Sequence, residues 1–238
     1  MFPYDTTLKA AVQAAPRSVA DVLHTLQTIE NICIDGDGLK WFNWLYLQVT
    51  QAVGSRVSNG GFSDPAWLAE LDVQFGALYF DALSAALAGA RCPGSWSALF
   101  AVRNHLSVAR IQFALAGMNA HINHDLPMAV IATCRTTNTT PQHGTAHYDD
   151  YTAVNTTLDA LIGEAEQTLN VRLLGSQLPA VSHLEDTIAA WDLAAARESA
   201  WKNAQSLWNE SPDIAAAHMD VVDGLTTVIS KAVLVPVP

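Results

Sequence analysis

Between Ser95 and Asn123 apolar residues recur three and four positions apart, a spacing that fits only a helix with one buried face. With Phe113 at the centre of a helical wheel, Leu99, Val102, Leu106, Ala109, Ala116, Gly117 and Ala120 fall within about 60° of it, the stripe of a core-facing helix. Ser95 is a good N-cap, and Leu126-Pro127 disfavours helical backbone just beyond Asn123. The stretch therefore predicts a central helix about 42 Å long at 1.5 Å per residue. What surrounds it must also be helical. Strand-like alternation bounded by turn residues is missing, and so are G-x-G-x-x-G, G-x-x-x-x-G-K-[ST] and G-x-S-x-G. The expected fold is all-α: a single-domain helical bundle (1–238) of about seven or eight helices around a long central helix.

The other helices announce themselves by caps and periodicity. Residues 1–37 hold a peripheral N-terminal helix, capped by Ser18, with Val19, Val22, Leu23, Leu26 and Ile29 at helical spacing. Leu39 to Val57 is dense in aromatics and ends at Asn59-Gly60-Gly61. Ser63-Asp64-Pro65 opens a helix to about Ala88, its seam running through Leu68, Leu71, Phe75, Leu78, Ala82 and Ala85. On the border of that seam, Asp72 reads as a solvated or capping residue, with a catalytic carboxylate facing the central helix as the alternative. A short apolar helix reaches Cys134, and 135–146 forms a loop, either a linker or a cover over a pocket. His147, Asp150 and Tyr151 share a face if a helix starts after it. Ser182 and Glu185 form a capping box for a helix to Trp208, with Ala194, Trp201 and Trp208 on its seam. Glu198 occupies a step of that seam, which makes it a working group or the partner of an arginine such as Arg110. Ser211-Pro212-Asp213 starts the last helix.

Charge narrows the partners. The chain of 238 residues carries a net charge of −11, which disfavours nucleic acid and anionic membrane surfaces. Only 15% of residues are charged, so part of the surface is apolar and a homo-oligomer is expected. No leader-like N-terminus and no membrane-length apolar run is present, so a cytoplasmic protein without membrane insertion is expected. Cys33, Cys92 and Cys134 show no C-x-x-C spacing, and buried free thiols are expected.

Polar residues gather at the end of the central stripe, where Asn119, His121, Asn123, His124 and Asp125 lie next to apolar surface. Helix capping and complementation of the C-terminal dipole account for some of them. Buried together, however, they need many partners. Two functions follow. In the first, the protein is an enzyme acting on an apolar small molecule or lipid, by hydrolysis, cyclisation or isomerisation. His121 serves as general base, Asp125 orients it, Arg110 stabilises charge, and Asn119, Asn123, His105 and Glu198 contact the ligand. A divalent metal would be held by His121 and Asp125, completed by His147 or by Asp150. In the second, the domain binds a ligand or a protein without catalysis.

The segments GMNAHINHDLPMAVIATC, GFSDPAWLAELDVQFGALYFDAL and AWDLAAARESAWKNAQSLW resemble a family of bacterial helical proteins classed only as a domain of unknown function. The likeness runs from Leu39 to the C-terminus and implies a helical fold without naming a reaction. A fainter likeness is to the helical zinc phospholipase C and P1 nuclease group, whose H-x-x-x-D ligand pairs are similar to His121 and Asp125. The chain departs from that group in lacking its N-terminal Trp ligand and in reading Asn119-Ala120-His121 where the group has D-x-H.

Overall fold

The computed structural model describes the backbone of residues 2–174 and 192–236, and the side chains of residues 2–161 and 192–236. Among these residues there is no strand. In chain order the helices are α1 (Asp5–Ala11), α2 (Val19–Ile32), α3 (Leu39–Ser58), α4 (Pro65–Leu87), α5 (Gly94–Val102) and α6 (Arg110–Asn119). A π-helical segment (Ala120–Asp125) leads into α7 (Leu126–Thr136), followed by α8 (Ala146–Leu174), α9 (Leu193–Trp208) and α10 (Pro212–Val233). The all-α expectation holds. No helix of the described residues is long and apolar enough to cross a membrane.

The central helix is displaced from where periodicity put it. Helix α5 stops at Val102, and the chain is not helical again until Arg110. Leu106, assigned to the buried stripe, is 87% exposed. The cause is Arg103, which turns inward to Asp37, donating from Nε to Oδ1 at 2.9 Å and from Nη2 to Oδ2. Its own carbonyl accepts from Gly38 N–H at 2.6 Å. These bonds hold the backbone out of helix, and the apolar pattern on either side belongs to two helices.

The long central run is instead Arg110 to Thr136, and it passes through Pro127 rather than ending before it. A proline in a helix lacks an N–H and clashes with the carbonyl four residues back. Here the turn before it is widened: Leu126 N–H bonds to His121 O, five residues back. The extra residue in the turn opens room for the pyrrolidine ring, so the helix continues. Widening also brings residues four apart closer to one face, which aligns His121 with Asp125.

Two apolar clusters form the core. One gathers residues of α1 to α6, including Phe42, Tyr79, Trp96 and Phe113. The other joins α4, α7, α8 and α9 through Trp67, Leu126, Tyr151 and Trp201. The central run enters the first cluster with Ala116 and the second with Ile122, so the π-helical segment lies at their junction. Gly117 lets α3 approach there, since a Cβ on it would sit 2.3 Å from the Phe42 ring. That contact brings Phe42 beside His121, with ring centroids 5.6 Å apart.

In α9 the observed seam is Leu193, Arg197, Ala200, Ala204 and Leu207, with Trp201 beside it. The sequence reading centred on Ala194 and Glu198, one residue away, because it was phased on the tryptophans. Asp192 caps this helix, accepting from Ala195 N–H at 2.9 Å. The expected capping box of Ser182 and Glu185 lies outside the described residues. Helix α10 turns its polar side inward. Its buried residues are Thr226 and Ser230, while Val221, Leu225 and Val228 are exposed.

Candidate active site around His121

His121 is 2% exposed and enclosed by aromatic rings. It stacks on Phe75 with centroids 3.4 Å apart and planes 7° apart, and Tyr46 meets it edge-on at 4.6 Å. Its Nδ1 lies 2.9 Å from Asp125 Oδ2. The same oxygen accepts from Trp96 Nε1–H at 2.9 Å, and His124 Nδ1 lies 2.7 Å from Oδ1. Burial works against the Asp125 carboxylate, but its bonds to His121 and His124 outweigh that and hold its pKa below the usual value. An ionised Asp125 accepts, so Nδ1 of His121 carries the proton and Nε2 keeps the lone pair.

Nε2 is buried and, among the described residues, has no hydrogen-bond partner. The His121 ring lines a cavity of about 100 Å³, with Nδ1 turned back to Asp125 and Nε2 on the far side. Burial lowers the pKa of His121, and the bond and charge of Asp125 only partly oppose it. The imidazole is therefore neutral at pH 7. For His124 burial also acts against the charge, yet Asp125 prevails and the pKa is raised. One carboxylate thus holds two histidines in different states.

The cavity walls are hydrocarbon from α3, α4, α8 and α9, such as Leu45, Val49, Leu71 and Leu158, interrupted by a few polar groups. Asp72 is one. Its Oδ2 is buried without a partner, and burial pushes its pKa up to about 7. Tyr46 is another: its hydroxyl is also buried without a partner, and burial followed by the charge of Asp72 holds the phenol well above its ordinary range. Arg197 is the third, 6% exposed at the junction of α8 and α9. No Ser, Thr, Cys or Lys is among the described lining residues.

The residues expected at a site are thus sorted. His121 and Asp125 come together with the cavity on one side. Asn119 faces α10, donating to Thr226 O and Ser230 Oγ at 2.9 Å each, and its Oδ1 accepts from Asn123 at 2.9 Å. Arg110 sits at the other end of α6, 3.5 Å from Asp35 and over the Trp41 ring, and is not among the cavity-lining residues. His105 is exposed in the loop before α6. Glu198 pairs with His143, Tyr148 and Lys202 rather than with Arg110. Asp150 accepts from Ser63 and Asp64 N–H at 2.9 and 2.6 Å, tying α8 to the start of α4.

The metal set of His121, Asp125 and His147 is not assembled. His147 Nε2 is 3.1 Å from Asp64 Oδ2 and its ring packs on Trp67, because Asp64 is the N-cap of α4 and holds it there. Both Asp125 oxygens already take N–H donors, and among the described residues no group of three or more His, Cys, Asp or Glu is placed to hold a metal ion. These residues do not fit a bound divalent ion. Sequence reasoning missed Arg197, and read Tyr46 as core packing first and as lining of an apolar ligand site second. Tyr46 stood among other aromatics of α3, and Arg197 fell outside the seam drawn through Ala194 and Glu198.

No curated protein and no solved structure matches the chain. A family model covers residues 19–236, nearly all of it, and the chain belongs to that family of unknown function, DUF5995.

Proposed function

We propose that this protein is an enzyme that moves a proton on a small apolar molecule held in the cavity, with His121 as general base. The observation that supports this most is the Nε2 lone pair of His121, buried without a partner beside the cavity while Asp125 fixes Nδ1. Asp72 supplies the matching acid. A carboxyl group kept neutral near pH 7 by burial can donate a hydrogen bond to an oxygen on which charge develops. The Tyr46 hydroxyl is a second donor. Among the described lining residues there is no serine, threonine, cysteine or lysine, and the groups that are there suit proton transfer.

The reaction that suits these groups is allylic isomerisation of a ketone. Nε2 takes a proton from the carbon between the carbonyl and the double bond, and the C–H electron pair forms the enolate. Asp72 and Tyr46 donate to the enolate oxygen. The imidazolium then returns the proton to the far carbon of the former double bond, leaving the conjugated isomer. Asp125 is a positioning residue that also stabilises the imidazolium, and Trp96 and His124 keep it ionised and fixed.

The test is deuterium uptake next to the carbonyl of small ketones in D2O, followed by proton NMR. Wild type should exchange at least one ketone of the panel roughly 10²–10⁴ times faster than His121→Ala, the usual share of a general base. If no ketone exchanges faster with wild type than with His121→Ala, the proposal falls. A cavity that bound these ketones without exchange would mark a ligand-binding domain instead.

A further inference from the structure

The polar lining groups fall at two poles. His121, Tyr46 and Asp72 gather at one, as the Tyr46–His121 contact and the influence of Asp72 on Tyr46 require. At the other, Arg197 donates from Nε to Asn155 Oδ1 at 2.7 Å and from Nη2 to Tyr151 O at 2.8 Å, and lies over the Tyr151 ring. Both partners of Arg197 are neutral. Among the described residues no carboxylate pairs with it, and its Nη1 has no hydrogen-bond partner. A buried guanidinium without a counter-charge is costly, and one in a cavity wall points to a missing anion.

Size and polarity limit the anion. The cavity, near 100 Å³ and open on one side, takes one small body with a short hydrocarbon chain. One arginine in apolar walls balances one negative charge, and its planar fork matches a carboxylate. Val49 and Val53 of α3 also line the cavity, so most of what the ligand meets there is hydrocarbon.

We propose that the cavity binds a small apolar monocarboxylate, its carboxylate held by Arg197 and its hydrocarbon body reaching toward His121. This narrows the substrate of the proton transfer proposed above to a small ketone that also carries a carboxylate, and it rests on that reading for its chemistry, although not for binding. The anchor explains how a cavity with few polar groups orients its ligand: the carboxylate fixes one end and the reacting carbon is delivered to the other.

Hexanoate and hexan-1-ol, of matched chain length, are the probes, with affinity read by isothermal titration on wild type, Arg197→Met, Arg197→Lys and His121→Ala. Wild type should bind hexanoate at least about tenfold more tightly than hexan-1-ol, the worth of a charge-assisted hydrogen bond. Arg197→Met should lose that preference, Arg197→Lys should keep part of it, and His121→Ala should keep it while losing ketone exchange. Should Arg197→Met fail to fold, the Arg197 Nε resonance of wild type still reads the contact, shifting with hexanoate and not with hexan-1-ol. Equal affinity for the two probes in wild type, binding of neither, or an unchanged preference in Arg197→Met overturns the proposal. A carboxylate preference without ketone exchange leaves the anchor standing and removes the catalytic reading; exchange without preference does the reverse.

Discussion

Asp37 and Asp72 are carboxylates on the inner side of the helical array, the first fully buried and the second with one buried oxygen, and they are treated in opposite ways. Asp37 is 0% exposed and closed on all sides: Arg103 bonds to both oxygens, Tyr4 donates at 3.0 Å and Leu39 N–H at 3.0 Å. Among the described residues Asp72 has no ion-pair partner, and its Oδ2 has no hydrogen-bond partner. The first joins α1, the start of α3 and the chain after α5. The second holds nothing together, and burial without compensation is tolerable only because the carboxyl can be neutral. A carboxylate that builds structure is saturated, whereas one left open beside a cavity costs stability for as long as nothing is bound.

Removing the partner from Asp37 should give the largest effect. Arg103→Ala leaves an ionised carboxylate buried, which costs about 3–5 kcal/mol. Urea unfolding should show the loss, while hexanoate binding by the folded fraction stays as in wild type. A cost below about 1 kcal/mol, the range of a surface pair, would dissolve the contrast.

Asp72→Asn should act in the other direction. The folded pKa, near 7, lies above the ordinary 3.8, so between these values the folded state binds more protons and stability falls as pH rises. The gain from Asp72→Asn is thus near zero at pH 4, grows with a slope that approaches about 1.4 kcal/mol per pH unit, and levels off above pH 7. Thermal melts across pH measure it, and a flat difference would show that Asp72 is not held neutral. Activity adds a second reading. His121, its pKa lowered, limits the rate as pH falls, and loss of the Asp72 proton limits it above about 7. In Asp72→Asn the alkaline limb should vanish.

Between these and the surface stands Trp96→Phe, which keeps the ring and deletes one of the three donors to Asp125. Two donors remain, so the cost should be about 1–2 kcal/mol, and the exchange rate should fall because Asp125 and His121 are less firmly placed. Unchanged stability and rate would mean that the two histidines suffice to hold Asp125.

Much of the fold was legible because several helices carry their own start signal. Ser18 and Asp64 cap as expected, and Val22, Leu26 and Ile29 are buried at the spacing that predicted them. What failed was phase rather than type. Arg103 interrupts the stripe through a contact with Asp37, a partner far away in sequence that no wheel can show. The π-helical turn lets Pro127 pass where local rules stop a helix. At the site, His121 and Asp125 could be paired from their i, i+4 spacing, but whether a carboxylate such as Asp72 is solvated or buried depends on α3 covering it. Arg197 was lost through a shift of one residue in the seam, which put its neighbour Glu198 in its place.

Arg197 and Glu198 therefore make the smallest and sharpest test of the comparison, being adjacent in sequence and different in surroundings. Glu198 is half-exposed, with Tyr148 Oη donating at 2.8 Å, His143 Nε2 at 3.0 Å and Lys202 Nζ at 3.2 Å. Burial raises its pKa, but the bonds from Tyr148, His143 and Lys202 together outweigh it and lower the value from the ordinary one. Its contribution is therefore present above the unfolded pKa and lost as pH falls through the folded one. Solvent screening keeps that contribution small. Glu198→Gln should cost less than about 1 kcal/mol at neutral pH, and less still as salt is raised. Hexanoate preference and ketone exchange should be untouched, since Glu198 does not line the cavity. A loss of either function in Glu198→Gln as large as in Arg197→Met would mean that the α8–α9 contact as a whole, and not the guanidinium, shapes the pocket.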